Sequence, residues 1–275
     1  MSRRGAPDGR RAPDGRRAEQ RVVHGIHPVR ELLRAGRRLH EVVLAEARAD
    51  GRSEAGPVAE IARLAADAGV PVRTVRSDEL ERLAPGAVHQ GVVALAPPFP
   101  LVDIDRLLAH AEESGRPPLL VAVDGVTDPH NLGSIARSAE AVGAHGLVLP
   151  DRRSAPVTPV VEKAAAGALA HLAVAGVTNL VRALAELAKA GVWSLGLDGE
   201  ADTQLAGHPL ASGAAVLVVG AEGSGLSRLV RQRCDALVRL PMHGHVGSLN
   251  ASVAAGVALY TLLAAREAEG ATPTS

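Results

Sequence analysis

Five polar residues in three short stretches have the types and spacing to share one reaction. Asn131 and Arg137 lie in Asp124-Gly-Val-Thr-Asp-Pro-His-Asn-Leu-Gly-Ser-Ile-Ala-Arg137, and Glu222 lies in Val219-Gly-Ala-Glu-Gly-Ser-Gly-Leu226. Ser248 and Asn250 close Leu240-Pro-Met-His-Gly-His-Val-Gly-Ser-Leu-Asn250. Each stretch begins where a run of branched apolar residues ends and a glycine-rich loop opens. A buried strand followed by such a loop is where open α/β sheets place their ligands. Amide, guanidinium, carboxylate and hydroxyl groups gathered there can orient a polar substrate, and positioning alone can supply on the order of 7–11 kcal/mol.

Each loop also has a plainer reading. Asp128-Pro129 breaks the chain and Asn131 is placed to cap the helix that follows, while Leu132, Ile135, Ala139 and Val142 form its buried stripe. Arg137 falls off that stripe. Helical side chains lean toward the N-terminus, so its guanidinium can return to the loop beside Asn131; a capping Asn and a solvated Arg would look the same. Gly220-Ala-Glu-Gly-Ser-Gly225 is followed by Leu226 and Ser227, not by the Lys of a phosphate loop, and it lacks the glycine spacing of dinucleotide folds. It reads as a turn with open backbone amides that presents Glu222. His243-Gly-His245, with no acid or Cys nearby, makes a poor metal site, and no metal is expected.

The elements that must hold these loops alternate. Strands are predicted at 119–123, 146–149, 172–174, 192–197, 215–219 and 236–240, and helices at 131–142, 159–170, 180–190, 226–233 and 249–265. Such a strict alternation means a parallel sheet covered on both faces. In the last helix Leu249, Val253, Val257 and Tyr260 make an apolar stripe for its own domain, and Ala251, Ala254, Ala255 and Gly256 leave small-sided faces for another helix. A smaller α/β pattern precedes this one, with strands at 41–44, 71–75 and 91–96 and helices at 28–35, 58–68 and 78–83. The chain thus divides into a tail at 1–21, a first domain at 22–98, a linker and helix at 99–116, a second domain at 117–268 and a tail at 269–275. The first tail repeats Ala-Pro-Asp-Gly-Arg-Arg and sets seven Arg against Asp8, Asp14 and Glu19, which suits either a solvated leader or an arm on RNA phosphate.

Aromatics are 1% of the 275 residues and hydrophobics 47%, so the core must be Ala, Val and Leu. Formal net charge is zero, so a nucleic-acid partner must be met by a local patch. Cys234 stands alone, which excludes an internal disulfide framework and fits a reducing compartment; it reads as a small buried residue near a helix end. No apolar run is long enough to span a bilayer, and a cytoplasmic protein away from membranes is expected.

With all three stretches in hand, "DGVTDPHNLGSIARSAEAVGA", "VVGAEGSGL" and "LPMHGHVGSLNASVAAGVALY", the chain resembles the SpoU (TrmH-type) branch of the SPOUT superfamily, the RNA ribose 2′-O-methyltransferases. The segments "HGIHPVRELLRAG" at 24–36 and "HQGVVALAPP" at 89–98 are similar to the L30e-like RNA-binding domain of members that modify large-subunit ribosomal RNA. The resemblance implies a deep trefoil knot in the C-terminal domain, S-adenosylmethionine bound in it, and an active site shared across a homodimer. Periodicity alone would give an ordinary doubly wound sheet. Carried over position by position, Asn131, Arg137, Glu222, Ser248 and Asn250 match the family's functional polar residues. Gly220, Leu240, Met242, Ser248, Leu249 and Asn250 match its cofactor positions, with Met242 expected to line the adenine pocket.

The family's counterpart of Arg137 is its proposed general base. Guanidinium groups hold their protons at physiological pH, so Arg137 is better read as binding the substrate phosphate and polarising the hydroxyl. The expected function is methylation of a ribose in 23S ribosomal RNA, on a guanosine of the peptidyl-transferase region. The alternatives are an antibiotic-resistance methyltransferase acting on another nucleotide and a catalytically silent RNA-binding or ribosome-assembly protein on the same fold. A nucleotide-dependent dehydrogenase or NTPase is disfavoured by the missing fingerprints.

Overall fold

The computed structural model describes residues 20–46 and 56–270. Of the predicted N-terminal tail only Gln20 and Arg21 fall among them, and the rest of that expectation lies outside. The first unit runs β1 (Arg21–His24), α1 (Ile26–Arg34), β2 (Glu41–Ala45), α2 (Pro57–Asp67), β3 (Val72–Val75), α3 (Ser77–Leu83) and β4 (Val92–Ala96). Its sheet has the order β1-β4-β2-β3, with β4 antiparallel to both neighbours and β2 parallel to β3. Val42 and Val43 are buried on opposite faces, one under α1 and α2 and the other under α3.

Strand β1 corrects the sequence reading, which ended the tail at 21 and placed no strand there. Only Val22 and Val23 are apolar in it, too short a run to announce itself. Arg21 is not part of a solvated arm: it pairs with Ala96 in the sheet, sits 5.2 Å over the Phe99 ring and meets Glu162 at 2.8 Å.

After α4 (Ile104–Glu113), capped by Asp103, comes the larger unit. It runs β5 (Leu119–Asp124), α5 (Pro129–Ala141), β6 (Gly146–Pro150), α6 (Pro159–Ala164), β7 (Ala173–Val177), α7 (Leu180–Lys189), β8 (Trp193–Leu197), β9 (Ala215–Gly220), α8 (Arg228–Arg233), β10 (Ala236–Val238) and α9 (Ala251–Gly270). Six parallel strands lie in the order β10-β8-β9-β5-β6-β7. Leu119, Val121 and Val123 point to the layer of α5 and α9, and Leu120 and Ala122 to that of α4 and α7.

Four expectations change here. The alternation is not strict, because β8 joins β9 through a helix-free segment, 198–214. The helix predicted at 159–170 stops at Ala164, since Ala166 and Gly167 take left-handed backbone (φ 51 and 98) before a 3-10 turn at Ala168–Ala170. Helix α9 is turned over: Ala251, Ala255, Ala258, Leu259 and Leu262 are buried, while Val253, Val257 and Tyr260 are 50%, 46% and 56% exposed. Small side chains let its backbone close on α5, where Gly256 faces Ser138, so the larger residues are left outside. Glu269 and Gly270, read as tail, belong to α9.

The two units touch through Arg21–Glu162, through Arg37 Nε donating to the Ala170 carbonyl at 2.7 Å, and through Glu31–His171 at 3.2 Å. Cys234 packs its sulfur toward Gly196, and burial, with Asp235 and Asp124 adding, pushes the thiol up to about 12. Among the described residues no helix is long and apolar enough to cross a membrane.

Candidate active site

Proline cannot donate a backbone hydrogen bond and pre-sets a helical φ, so Pro129 opens α5 and the residue before it becomes the cap. Asp128 Oδ1 accepts from the His130 N–H at 2.9 Å, in the place expected for Asn131. Asn131 is thereby carried into the first turn of α5 and buried, at 6% exposure. Its Nδ2 donates to Glu222 Oε1 at 3.0 Å, and its Oδ1 accepts from Asn250 Nδ2 at 3.1 Å. Asn250 Nδ2 also donates to Glu222 Oε1. Asn250 Oδ1 in turn accepts from Ser252 N at 2.9 Å and Ser252 Oγ at 2.7 Å, which caps α9. The three loops that the sequence singled out are therefore joined by one carboxylate and two amides. A buried amide with both ends engaged is oriented without ambiguity, and its hydrogen bonds to a charged acceptor are of the stronger kind.

Glu222 is presented by a loop that folds back on itself. Ala221 and Gly225 exchange backbone hydrogen bonds of 3.0 and 2.9 Å, and Gly223 and Gly225 have φ of 76 and 63. At Gly220 a Cβ would collide with the Gly225 carbonyl carbon. Glycine is required there because the returning backbone occupies the side-chain position. Asp124, where β5 ends, fastens the far side of the turn by accepting from Ser227 N at 2.6 Å.

Beside this network lies a cleft of about 420 Å³, within the range of small-molecule sites. Gly220, Leu240, Met242, Ser248 and Leu249 line it with Glu222. Asn131 and Asn250 do not line the cleft and reach it through Glu222. Arg137 is not brought in. It lies on the exposed face of α5, without a hydrogen bond or ion pair among the described residues, and Asn131 faces inward from a different side of the same helix. The two do not converge within one chain. His243 and His245 are exposed, and the described residues contain no group of three or more His, Cys, Asp or Glu placed to hold a metal ion.

A fourth wall went unread in the sequence. Asp198, Gly199 and Glu200 follow β8, and Arg231 of α8 donates to Asp198. The available signal was of the same type as the other three, a buried strand running into Asp-Gly. With Glu222, these acids set three carboxylates in the lining against Arg231 and Arg239, a net of one negative charge, with Asp198 already paired to Arg231.

Comparisons with known proteins follow the same division of the chain. Residues 118–260 match the model of the SpoU rRNA Methylase family, and residues 22–102 match that of RNA 2'-O ribose methyltransferase substrate binding. A protein of Mycolicibacterium vanbaalenii, described as an uncharacterized tRNA/rRNA methyltransferase, is 46% identical over 241 residues, 86% of this chain and 74% of its own. The putative TrmH family tRNA/rRNA methyltransferase YacO of Bacillus subtilis is 40% identical over 90% of this chain and 97% of its own. Among solved structures, the SpoU methyltransferase AviRb from Streptomyces viridochromogenes, in complex with AdoMet, superposes with a TM-score of 0.74 at 27% identity, over 92% of this chain and 93% of that one.

Proposed function

Because the chain belongs to the SpoU rRNA methylase family and is an RNA 2′-O-ribose methyltransferase, we propose that its cleft binds S-adenosylmethionine and that its target is a ribose of large-subunit ribosomal RNA. The fit is chemical. The cleft offers carboxylates to a cationic ligand, apolar surface at Leu240, Met242 and Leu249 to a planar base, and a side-chain-free wall at Gly220. When bound, the cofactor supplies an electrophilic methyl group. Ser248 and Glu222 hold and orient what enters the cleft, and Asn131 and Asn250 fix Glu222. The observation that carries this reading is the Asn131–Glu222–Asn250 network, which joins three loops beside the cleft.

Arg137 stands too far round α5 to serve its own cleft, so it serves a partner's. A second copy of the chain covers the exposed Leu249, Val253, Val257 and Tyr260 and brings its own Arg137 to the site. There the guanidinium binds the substrate phosphate and polarises the ribose hydroxyl. The units at 22–98 and 117–268 act as substrate-binding and catalytic domains, in accord with the two family matches. The trefoil knot is part of this reading. Support for it comes from Gln204 pairing with Arg239, which lays the segment before β9 against the one after β10.

The test is methyl transfer to bulk ribosomal RNA alongside calorimetry with S-adenosylmethionine. Arg137→Ala should abolish transfer and leave cofactor affinity within a few-fold. If the cofactor affinity collapses while the dimer persists, the assigned role is wrong. A wild-type chain that binds no cofactor would point instead to a catalytically silent RNA-binding protein. The nucleotide is found by mapping ribose methylation in 23S ribosomal RNA from a strain lacking the gene.

A further inference from the structure

Between β6 and the end of α6 stand three cations with no acidic partner among the described residues: Arg152, Arg153 and Lys163. Arg21, Arg30, Arg34, Arg73 and Arg231, by contrast, all meet carboxylates. Glu162, next to Lys163 in sequence, is turned inward onto Arg21 and leaves the lysine unneutralised. Arg153 is held in left-handed backbone at φ 61, a conformation that costs a non-glycine residue energy.

The segment has a direction. At one end, the turn after β6 leaves the same sheet edge as the cleft, and Ala155 N donates to the Val126 carbonyl at 2.9 Å, in the loop that leads to Asn131. At the other end α6, which carries Lys163, packs against β1, which carries His24, across the junction between the units. Burial chiefly, then the charges of Lys163 and His89, hold the His24 pKa below the ordinary value. The Val88 carbonyl acts in the opposite sense, and Nδ1 is left buried without a partner. Beside it, Gln90 Oε1 accepts from Ile26 N at 3.4 Å, with Gln90 at φ 52. The His24-Gly25 and His89-Gln90-Gly91 stretches are thus brought to one spot facing α6, and nothing in the methyl-transfer chemistry uses them.

We infer that His24, Lys163, Arg152 and Arg153 form a track for the RNA sugar–phosphate backbone, running from the β1 edge of the first unit to the rim of the cleft. This rests on the methyltransferase reading and adds to it the path by which the substrate reaches the site. Lysine acts on phosphate as a point charge and arginine as a two-pronged donor, and contacts of this kind fix register rather than sequence. The buried Arg21–Glu162 pair keeps the two ends of the track on one surface.

The experiment measures binding of labelled bulk ribosomal RNA and bulk transfer RNA over a range of salt. Wild type is compared with Lys163→Gln, the double variant Arg152→Gln/Arg153→Gln, the triple combination, and Lys189→Gln on α7 as a control. Each neutralised contact should reduce the slope of log affinity against log salt by about 0.7 to 0.9, so the triple variant should lose about 2 to 3. Lys163→Arg should restore the slope and Lys189→Gln should keep it, with S-adenosylmethionine affinity unchanged throughout. Wild-type slopes in the triple variant would overturn the track and leave the methyltransferase reading standing. A wild type that binds the cofactor but neither RNA would overturn both.

Discussion

Asn250 does two jobs with opposite ends of one side chain, capping α9 through Oδ1 and holding Glu222 through Nδ2. The two can be separated by substitution. Asn250→Ser keeps a capping oxygen and loses the Nδ2 bonds to Glu222 and Asn131. Asn250→Asp keeps the cap and sets a second carboxylate against the first. Thermal melts should rank wild type above Ser and Ser above Asp, and removal of the cap altogether in Asn250→Ala should cost about 0.5–2 kcal/mol beyond the lost bond. An Asp variant as stable as wild type would mean that the Nδ2 bonds of Asn250 contribute nothing to the fold. The loops that hold these polar residues were legible in the sequence, because each opens where a buried strand runs into glycines. Which of the residues meet was not. The cap was assigned to Asn131 on local grounds, and only the fold shows that Asp128 takes it and frees Asn131 to reach Glu222. Local spacing likewise brought Arg137 toward Asn131, whereas the helix carries the two to different sides.

Element boundaries followed from hydrophobic period, with most strands and helices within a residue or two of their expected ends. What period does not give is the direction in which a helix faces. In α9 the large residues form the more visible stripe, so they were assigned to the chain's own core. Packing favours the reverse, since Ala251, Ala255 and Ala258 admit the close approach to α5 and β9. This alters what substitution should do. Ala255→Trp inserts bulk into a filled core and should destabilise the monomer itself, by roughly 1–3 kcal/mol or more. Val257→Glu or Tyr260→Glu should leave the fold intact and yield monomers by light scattering, without methyl transfer. A dimer that survives both acidic variants would place the interface elsewhere. A second close contact makes the same point. At Gly133 of α5 an added Cβ would lie 2.7 Å from the Val161 carbonyl and collide with Ala164, so Gly133→Ala should push α6 away and lower the melting temperature.

For the whole molecule, the junction between the two units is the place where pH acts. Burial pushes Glu162 up to about 7 from 4.5, with Arg21 opposing, because the pocket disfavours its ionised form more than the guanidinium favours it. A carboxyl raised on folding stabilises the native chain when protonated. Its contribution is complete below about pH 4.5 and is lost as pH rises to about 7. Glu162→Gln mimics the protonated form, so wild type should lose ground to this variant across that window. The bound on the change is on the order of 3 kcal/mol, at about 1.4 kcal/mol per tenfold change in proton affinity, read from urea unfolding at pH 5 and pH 8. A difference that does not vary with pH would mean that Glu162 stays ionised beside Arg21. Neither β1 nor this pair was foreseeable, because four residues carrying Arg and His at their ends look like a solvated leader until the partner strand is known. The strand order has a further consequence, one for the chain while it is being made. β9 is synthesised after both β5 and β8, yet it lies between them. Until it emerges, two apolar strands wait with the edges that it will occupy unpaired, and such edges recruit strands from other molecules. Long-range pairings of this sort also form slowly. The nascent chain should therefore expose these edges until the middle strand arrives, and its yield in the cell should depend on chaperones that shield the gap.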